Sequence, residues 1–320
     1  MKHPGWVWMD GELRSARVAT VSVASHALHY GSSVFEGIRV YATPSGPAVL
    51  GLREHLRRFL RSAHVFKLQI PYDEEQLAFA VIATLAANEL DAAYVRPIAF
   101  RGAGSFHLDG RRHPVHVSVL AFPWGEYLGE DTIEQGVDVV ITSWRRPAPG
   151  SYPLLAKVGG NYVASQLIAM EARDRGAHEG IALDANGMVS EGSGENVFAV
   201  VDGTVYTPPV SCSILDGITR RFVMQLLAEL GEPVREAAIP REMLEVADEI
   251  FLTGTAAEIT PVRSLDGRPV SGGRRGPLTT RLQRAFYAIV QGDVPDRFGW
   301  LSPAGRPRLM RVAGAVEAYG

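Results

Sequence analysis

Apolar residues recur along the chain at two different spacings, and these spacings predict where helices and strands lie. Apolar positions three and four residues apart predict helices over residues 52–63, 73–88, 162–175, 217–230 and 278–290. Short apolar or alternating runs between turn residues predict strands at 6–9, 94–100, 115–122, 137–142, 180–183, 196–201, 204–207 and 249–252. Residues 18–41 run apolar around glycines, which favours short strands and turns over a helix.

The order of these elements predicts an α+β fold, because helices and strands are mixed without a regular strand–helix–strand alternation. A chain of 320 residues is long enough for two domains. An aromatic and glycine-rich stretch after residue 122 is the candidate connection between them. We therefore expect a smaller N-terminal domain over 1–122, a connection over 123–135, and a larger C-terminal domain over 136–320.

Composition narrows the classes of function. The chain is 46% hydrophobic and 21% charged, as in ordinary globular proteins, and its formal net charge is −3. Without a basic excess, nucleic acids and anionic membrane surfaces are poor partners. Cys212 is the only cysteine, and no apolar run approaches the length of a membrane span. We expect a soluble, cytoplasmic protein.

Lysine usage points to a candidate catalytic residue. Only Lys2, Lys67 and Lys157 occur, although Lys and Arg together number 32. Lys157 follows an apolar run and precedes two glycines, an environment that would desolvate the ammonium group and lower its pKa. The neutral amine of such a lysine attacks carbonyl carbons, so Lys157 is a candidate Schiff-base lysine. The alternative is a structural lysine whose charged end reaches solvent.

Three loops and one helix offer further chemistry. Residues 190–196 place two carboxylates in a glycine-rich loop, where they could contact a cationic heterocycle or simply be solvated. Residues 215–220 open a helix, and residues 253–257 follow a strand, so both could present amide groups to an anion. Arg57 or Arg58 could reach a buried phosphate from the first helix, or both could lie on its solvated face. His113 and His116 lack a third ligand at zinc-like spacing, and we expect no metal site.

Taken together and in order, these motifs resemble the fold-type IV enzymes that use pyridoxal 5′-phosphate (PLP), specifically the bacterial branched-chain amino-acid aminotransferases. The most specific match is Ala156-Lys157-Val158-Gly159-Gly160-Asn161-Tyr162. Further matching stretches are residues 25–31, 34–39, 94–97, 122–125, 179–184, 191–196 and 254–262. The resemblance implies an α/β N-terminal domain and a C-terminal pseudo-barrel domain that carries the Schiff-base lysine.

The resemblance also implies which residues hold the cofactor. Lys157 corresponds to the lysine that binds PLP covalently, and Glu191 to the carboxylate on the pyridine nitrogen. Tyr162 resembles the residue bonded to the ring phenolate, and Leu215 the side chain packed on one ring face. The expected phosphate contacts are Arg58, Ile218, Thr219 and Thr255.

For the substrate, the resemblance implies transamination of branched-chain L-amino acids with 2-oxoglutarate, giving 2-oxo acids and L-glutamate. Tyr94, Thr255 and Ala256 resemble the α-carboxylate site. The expected walls of the side-chain pocket are Tyr30, Phe35, Trp124 and Tyr127, with Arg96 at its mouth. Part of this pocket comes from a partner subunit in the family, so a homodimer or higher homo-oligomer is implied.

Two departures and several alternatives remain. Residues 102–108, followed by Arg111-Arg112-His113, differ from the corresponding family loop, which leaves the preferred side chain open. The tail beyond Trp300 is longer than the family pattern suggests. Within the superfamily the alternatives are a D-amino-acid aminotransferase, an R-selective amine transaminase and an aminodeoxychorismate lyase. Outside it, the alternative is a non-catalytic α+β protein.

Overall fold

The computed structural model describes residues 5–124, 128 and 131–305. Its helices are α1 His26–Tyr30, α2 Leu52–Val65, α3 Glu74–Ala87, α4 Thr132–Gln135, α5 Tyr162–Asp174, α6 Ile218–Glu229, α7 Arg241–Glu245 and α8 Pro277–Val290. Its strands are β1 Trp6–Met9, β2 Glu12–Ser15, β3 Ser33–Phe35, β4 Ile38–Thr43, β5 Gly46–Leu50, β6 Ala93–Arg101, β7 Val115–Phe122, β8 Val137–Arg145, β9 Glu179–Leu183, β10 Asn196–Val201, β11 Thr204–Thr207, β12 Val234–Glu236, β13 Glu249–Gly254, β14 Glu258–Leu265, β15 Arg268–Pro269 and β16 Leu301–Pro303.

The first sheet has the order β16-β5-β4-β6-β7-β1-β2, with β3 also paired to β6, and its ladders are antiparallel. Helices α2 and α3 cover one face, where Leu56, Phe59 and Leu77 are fully buried against the strands. Burial of these and neighbouring apolar side chains stabilises this layer. Near β1 and β6, the opposite face forms an open apolar groove that includes Val7, Met9 and Phe100.

The second sheet has the order β12-β11-β10-β13-β14-β8-β9, with β15 paired to β14. Its ladders are mixed, since β8 is parallel to both β9 and β14 while β13 is antiparallel to β10 and β14. Helices α6 and α8 pack on this sheet around Phe251 and Phe286. Helix α5 packs against β8 and β9, so this helix and its preceding loop are fixed to the second sheet.

The chain returns to the first sheet near its described end. Strand β16 pairs with β5, and the amide of Gly51 donates to the carbonyl of Trp300. The Trp300 ring stacks on Phe222 of α6 at a centroid distance of 4.6 Å. This C-terminal strap, residues 300–304, therefore joins the first sheet to the helices of the second.

Most predicted elements are confirmed. Asp73 and Gln76 form a capping box at the start of α3. The predicted strands 196–201 and 204–207 form a hairpin that turns at Asp202 and Gly203, both with positive φ, as a two-residue primed turn requires. The predicted domain limits stay a prediction: β1–β7 precede residue 123, whereas β16 joins the first sheet from beyond residue 300. None of the helices in the described ranges combines the length and apolar character needed to cross a bilayer.

Several elements differ from the prediction or were missed; besides the three discussed next, these are α4, β2, β5, β12, β15 and β16. Residues 26–30 form the short helix α1 where we expected only strands and turns, because five residues are too few to show helical periodicity. Strand β14 was missed because Glu258 and Pro261 interrupt its apolar pattern. Helix α7 was missed because it too has only five residues. Residues 306–320, and residues 125–127, 129 and 130 of the expected connection, lie outside the described part.

Candidate active site

A cleft brings most of the predicted site residues together. The predicted residues that line it are Phe35, Arg58, Tyr94, Arg96, Trp124, Lys157, Tyr162, Glu191, Leu215, Ile218, Thr219, Thr255 and Ala256. They come from β3 and β6 of the first sheet, from α2, from the starts of α5 and α6, and from loops, including the turn between β13 and β14. Tyr30 does not line this cleft, because its hydroxyl donates to the carbonyl oxygen of Phe106 at 3.1 Å. Tyr127 lies outside the described residues.

Lys157 lies in the loop before α5, and its position is fixed from both sides. Its amide donates to Ser62 Oγ of α2 at 2.9 Å, and its Nζ forms a hydrogen bond with the hydroxyl of Tyr162. The Nζ atom lies 4.8 Å from the ring centroid of Phe35. Burial, together with the nearby positive charge of Arg58, lowers the pKa of Lys157 to about 8. About a tenth of this amine is therefore uncharged at pH 7, far more than for an ordinary lysine, and able to act as a nucleophile.

The start of α6 forms an anion-binding corner with Arg58. Arg58 is buried and donates from Nη1 to the carbonyl oxygen of Asp216 at 3.1 Å, just before the helix. Gly217, the N-cap residue of α6, has no side chain that could accept a hydrogen bond. It therefore does not cap the first backbone amides of this helix. A Cβ atom at Gly217 would lie 2.0 Å from Asn196 Oδ1, so the corner requires glycine. Helix dipole, amides and guanidinium together suit a phosphate.

Glu191 is a buried carboxylate held by three donors. Arg146 Nη2 lies 2.5 Å from one oxygen, while the amide of Leu215 at 2.9 Å and Asn196 Nδ2 at 3.2 Å donate to the other. Burial raises the pKa of Glu191, and the positive charge of Arg146 opposes that rise. Three donors leave about one of the four carboxylate lone-pair positions for a ligand. The site can therefore accept one hydrogen bond from a protonated ring nitrogen.

Aromatic rings and one arginine form the remaining wall. Tyr94 stacks on Trp124 at 4.7 Å between centroids, and its hydroxyl accepts a hydrogen bond from Arg96 Nη2 at 3.2 Å. The Arg96 guanidinium lies 4.7 Å from the Phe35 ring centroid. Its Nε is buried without a hydrogen-bond partner among the described residues. This wall therefore combines apolar surface with a cation that has hydrogen-bonding capacity left.

Glu36, His55 and Arg146 belong to the site region although sequence reasoning did not single them out. Glu36 receives two hydrogen bonds from Arg58, at 2.6 and 2.8 Å, and one from His55 Nδ1 at 2.7 Å. One signal was available, because Glu36 is a lone charge in the otherwise apolar run 34–38, and a buried charge needs a partner. No periodicity marks Arg146, whose partner Glu191 is distant in sequence.

The two-sheet fold and this cleft agree with a family match. The model of the class IV amino-transferase family matches residues 33–265, and the chain belongs to that family. Its members are PLP-dependent, so the chain is a PLP-dependent aminotransferase. The fold-type IV architecture and the cofactor implied by the sequence resemblance are confirmed.

Its relatives specify the group within the family. The chain is 46% identical over 303 residues to the branched-chain-amino-acid aminotransferase of Salmonella typhimurium, covering 94% of this chain and 98% of that one. It is 43% identical to the Pseudomonas aeruginosa enzyme of the same name, covering 92% and 96%. The crystal structure of the Escherichia coli branched-chain amino acid aminotransferase superposes with a TM-score of 0.93, at 46% identity, covering 95% of this chain and 100% of that one. The Thermobaculum terrenum enzyme of the same name, in its PLP form, gives 0.88 at 30% identity, covering 95% and 100%.

Proposed function

We propose that this protein transfers the amino group of branched-chain L-amino acids to 2-oxoglutarate, giving 2-oxo acids and L-glutamate. The observation that carries the proposal is the amine of Lys157, with its pKa lowered to about 8, in one cleft with an anion-binding corner and an apolar wall. The named relatives, identical at 43% to 46% over nearly their whole length, support the same activity.

The residues of the cleft fit PLP end to end. Arg58 and the start of α6, with Ile218 and Thr219, suit the phosphate, and the Thr255 turn adds a further donor. Glu191 has room for the pyridine N–H, and Leu215 offers an apolar face. Bound there, PLP supplies an electron-withdrawing ring that acidifies the Cα–H bond of an attached amino acid.

Lys157 and Tyr162 do the acid–base work of this proposal. With PLP bound, Lys157 would hold the cofactor through its Nζ atom, and the free amine of Lys157 would take up and release the proton that moves during transamination. Burial and the charge of Glu191 raise the pKa of Tyr162 well above its usual value, so its hydroxyl remains protonated and can donate. Glu191 favours the protonated ring nitrogen by its negative charge.

One pocket must accept both aliphatic and acidic side chains. Phe35 and Trp124 give it apolar walls, while the Nε of Arg96 lies buried without a hydrogen-bond partner in the described part of the chain. An aliphatic chain needs only the walls, whereas the γ-carboxylate of glutamate can extend to the guanidinium. We propose that Tyr94, Thr255 and Ala256 hold the α-carboxylate that both substrates share.

We also propose that the chain works as a homodimer. Tyr30 lies outside its own cleft, and large apolar side chains around it are exposed, Val23 and Leu108 by about 80% each. Leu28 and Phe106 are also mostly exposed, and the open groove of the first sheet adjoins Leu28. A second copy covering this patch would bury it and bring Tyr30 to the neighbouring cleft. The cytoplasmic location expected from the lone cysteine stays a prediction.

The decisive experiment asks whether Lys157 carries both cofactor and activity. Purified with PLP, the protein should be yellow, borohydride should fix the cofactor to Lys157, and L-leucine with 2-oxoglutarate should yield L-glutamate. Lys157→Arg should abolish the borohydride-fixed link and the activity, because a guanidinium does not form a Schiff base. The matched control is Lys67→Arg, at an exposed lysine, which should leave all three intact.

Two outcomes would overturn the proposal. A colourless protein that borohydride does not modify would indicate the non-catalytic alternative. A donor panel in which D-leucine or an R-amine reacts and L-leucine does not would assign the chain to another group of the superfamily.

A further inference from the structure

The carboxylate of Glu36 lies directly behind the arginine of the anion-binding corner. It is completely buried between β3 and β4, and it contacts Arg58 through both of its oxygens, at 2.6 Å from Nε and 2.8 Å from Nη2. This is the two-point fork that fixes the plane of a guanidinium as well as its position. These two contacts hold Arg58, on α2, against the segment between β3 and β4, where Phe35 and Gly37 flank Glu36.

The remaining contacts of Glu36 keep this carboxylate ionised. His55 Nδ1 donates to it at 2.7 Å, and the amide of Gly37 donates at 3.3 Å. Burial alone would raise the pKa of Glu36, but the charge of Arg58 and the hydrogen bonds from Arg58 and His55 hold it well below its usual range. Burial lowers the pKa of His55, so at neutral pH this ring is an uncharged donor.

The fork determines which edge of Arg58 is left for a ligand. A guanidinium has five N–H groups. Glu36 takes the one on Nε and one on Nη2, and the carbonyl of Asp216 takes one on Nη1. One N–H on each terminal nitrogen remains, and the one on Nη2 lies on the terminal edge of the guanidinium, where a phosphate oxygen can accept it.

We propose that Glu36 is the positioning residue of the phosphate site: it holds Arg58 so that its terminal edge meets the cofactor phosphate. The inference rests on the proposed function, in which Arg58 binds that phosphate. Glu36 itself touches no ligand. Its negative charge partly offsets that of Arg58, so its benefit to binding comes from orientation and not from added attraction.

The test compares two aldehydes that differ only in the phosphate. Binding of PLP and of pyridoxal to the cofactor-free full chain is followed by absorbance, for the original protein and for Glu36→Gln. A glutamine keeps the size but presents an N–H group to a donor, so the fork is lost. We expect the Kd of PLP to rise about tenfold, as for a lost charge-assisted contact, and the Kd of pyridoxal to stay unchanged.

Two further variants separate positioning from general damage. Glu249→Gln removes another buried carboxylate, which caps α8 by accepting from the amides of Leu278 and Thr279. It should lower stability without changing the ratio of the two Kd values. In an Arg58→Lys background, Glu36→Gln should add no further loss of PLP affinity, because the fork is already absent.

Each possible outcome of these binding measurements either supports or overturns the role of Glu36. Equal losses for PLP and pyridoxal would show a merely structural role and overturn the inference, and so would unchanged or tighter binding of PLP in Glu36→Gln. Should that variant fail to fold, Glu36→Asp provides the test. Its side chain keeps the charge but is too short to form both contacts with Arg58, so the ratio of the Kd of PLP to the Kd of pyridoxal must still rise. An original protein that binds neither aldehyde would refute the proposed function itself.

Discussion

Lys157 is a reactive amine because its surroundings lower its pKa, and a sequence can reveal the reactivity but only partly its cause. Its rarity and its apolar neighbours predicted a reactive amine, and the structure supplies the cause, which is burial together with Arg58. Glu36 and Arg146 could not be found in the same way. Each acts through a partner 22 or 45 residues away, and only the folded chain brings the two together.

The lowered pKa of Lys157 makes a prediction about stability and pH. An unfolded lysine remains protonated up to about pH 10, whereas folded Lys157 loses its proton near pH 8. Between these values the unfolded chain binds the extra proton, so this residue makes folding more favourable as pH rises. Lys157→Met should therefore stabilise the cofactor-free protein more at pH 7 than at pH 10, measured by urea unfolding.

Exposed Lys67 is the control residue, and Lys67→Met should show no comparable change between the two pH values. An equal effect of Lys157→Met at both pH values would mean that the amine is charged in the folded protein throughout this range.

Arg96 should discriminate between the two substrates. Arg96→Ala should raise the KM for glutamate about tenfold more than the KM for leucine, because only glutamate loses a charge-assisted hydrogen bond. Initial rates with each donor measure the two constants, and Arg57→Ala, at an exposed arginine paired with Glu74, is the control. Equal losses for both substrates would remove Arg96 from this role.

At the scale of elements, sequence patterns predicted those helices and strands whose formation depends on residues close together in the chain. The capping box of α3 and the primed turn between β10 and β11 depend on neighbouring residues, and the helix over 73–88 and the strands 196–201 and 204–207 were predicted at these positions. Strand β14 depends on pairing with β13 across the sheet, so its proline-containing sequence gave no sufficient signal. The anion corner likewise needed the folded structure to bring Arg58 to α6.

The segment between β3 and β4 makes an element-scale prediction. A Cβ atom at Gly37 would lie 1.8 Å from the hydroxyl oxygen of Tyr94, which is buried and stacked on Trp124. Gly37→Ala must therefore displace Tyr94 from the proposed α-carboxylate site. We expect the KM for all amino-acid donors to rise about tenfold, because the loss affects the group they share.

The control for this variant is Gly305→Ala, where an added Cβ atom meets no atom of the described residues within 4 Å. Steady-state kinetics with leucine and glutamate measure both variants. A KM that rises for one donor and not for the other would contradict the placement of Tyr94 at the shared carboxylate.

For the whole molecule, the exposed patch around α1 predicts the assembly. Leu28→Glu would place a charge at the centre of the proposed dimer contact, where its desolvation is unfavourable. The mass in solution, measured by light scattering, should halve, and activity should fall because Tyr30 no longer reaches a neighbouring cleft. Val246→Glu, at a residue with the same 68% exposure just after α7, should leave the dimer intact. A Leu28→Glu protein of unchanged mass would exclude this face as the contact.

The C-terminal strap affects how the chain folds while it is being translated. Strand β5 has β4 on one side and β16 on the other, and β16 consists of residues 301–303. During translation the N-terminal sheet can collapse early, but its β5 edge keeps unpaired amides and carbonyls until residue 303 has left the ribosome. Throughout that interval the nascent polypeptide exposes the unpaired edge of β5. A chaperone or a neighbouring nascent chain could pair with this edge before β16 of the same chain does.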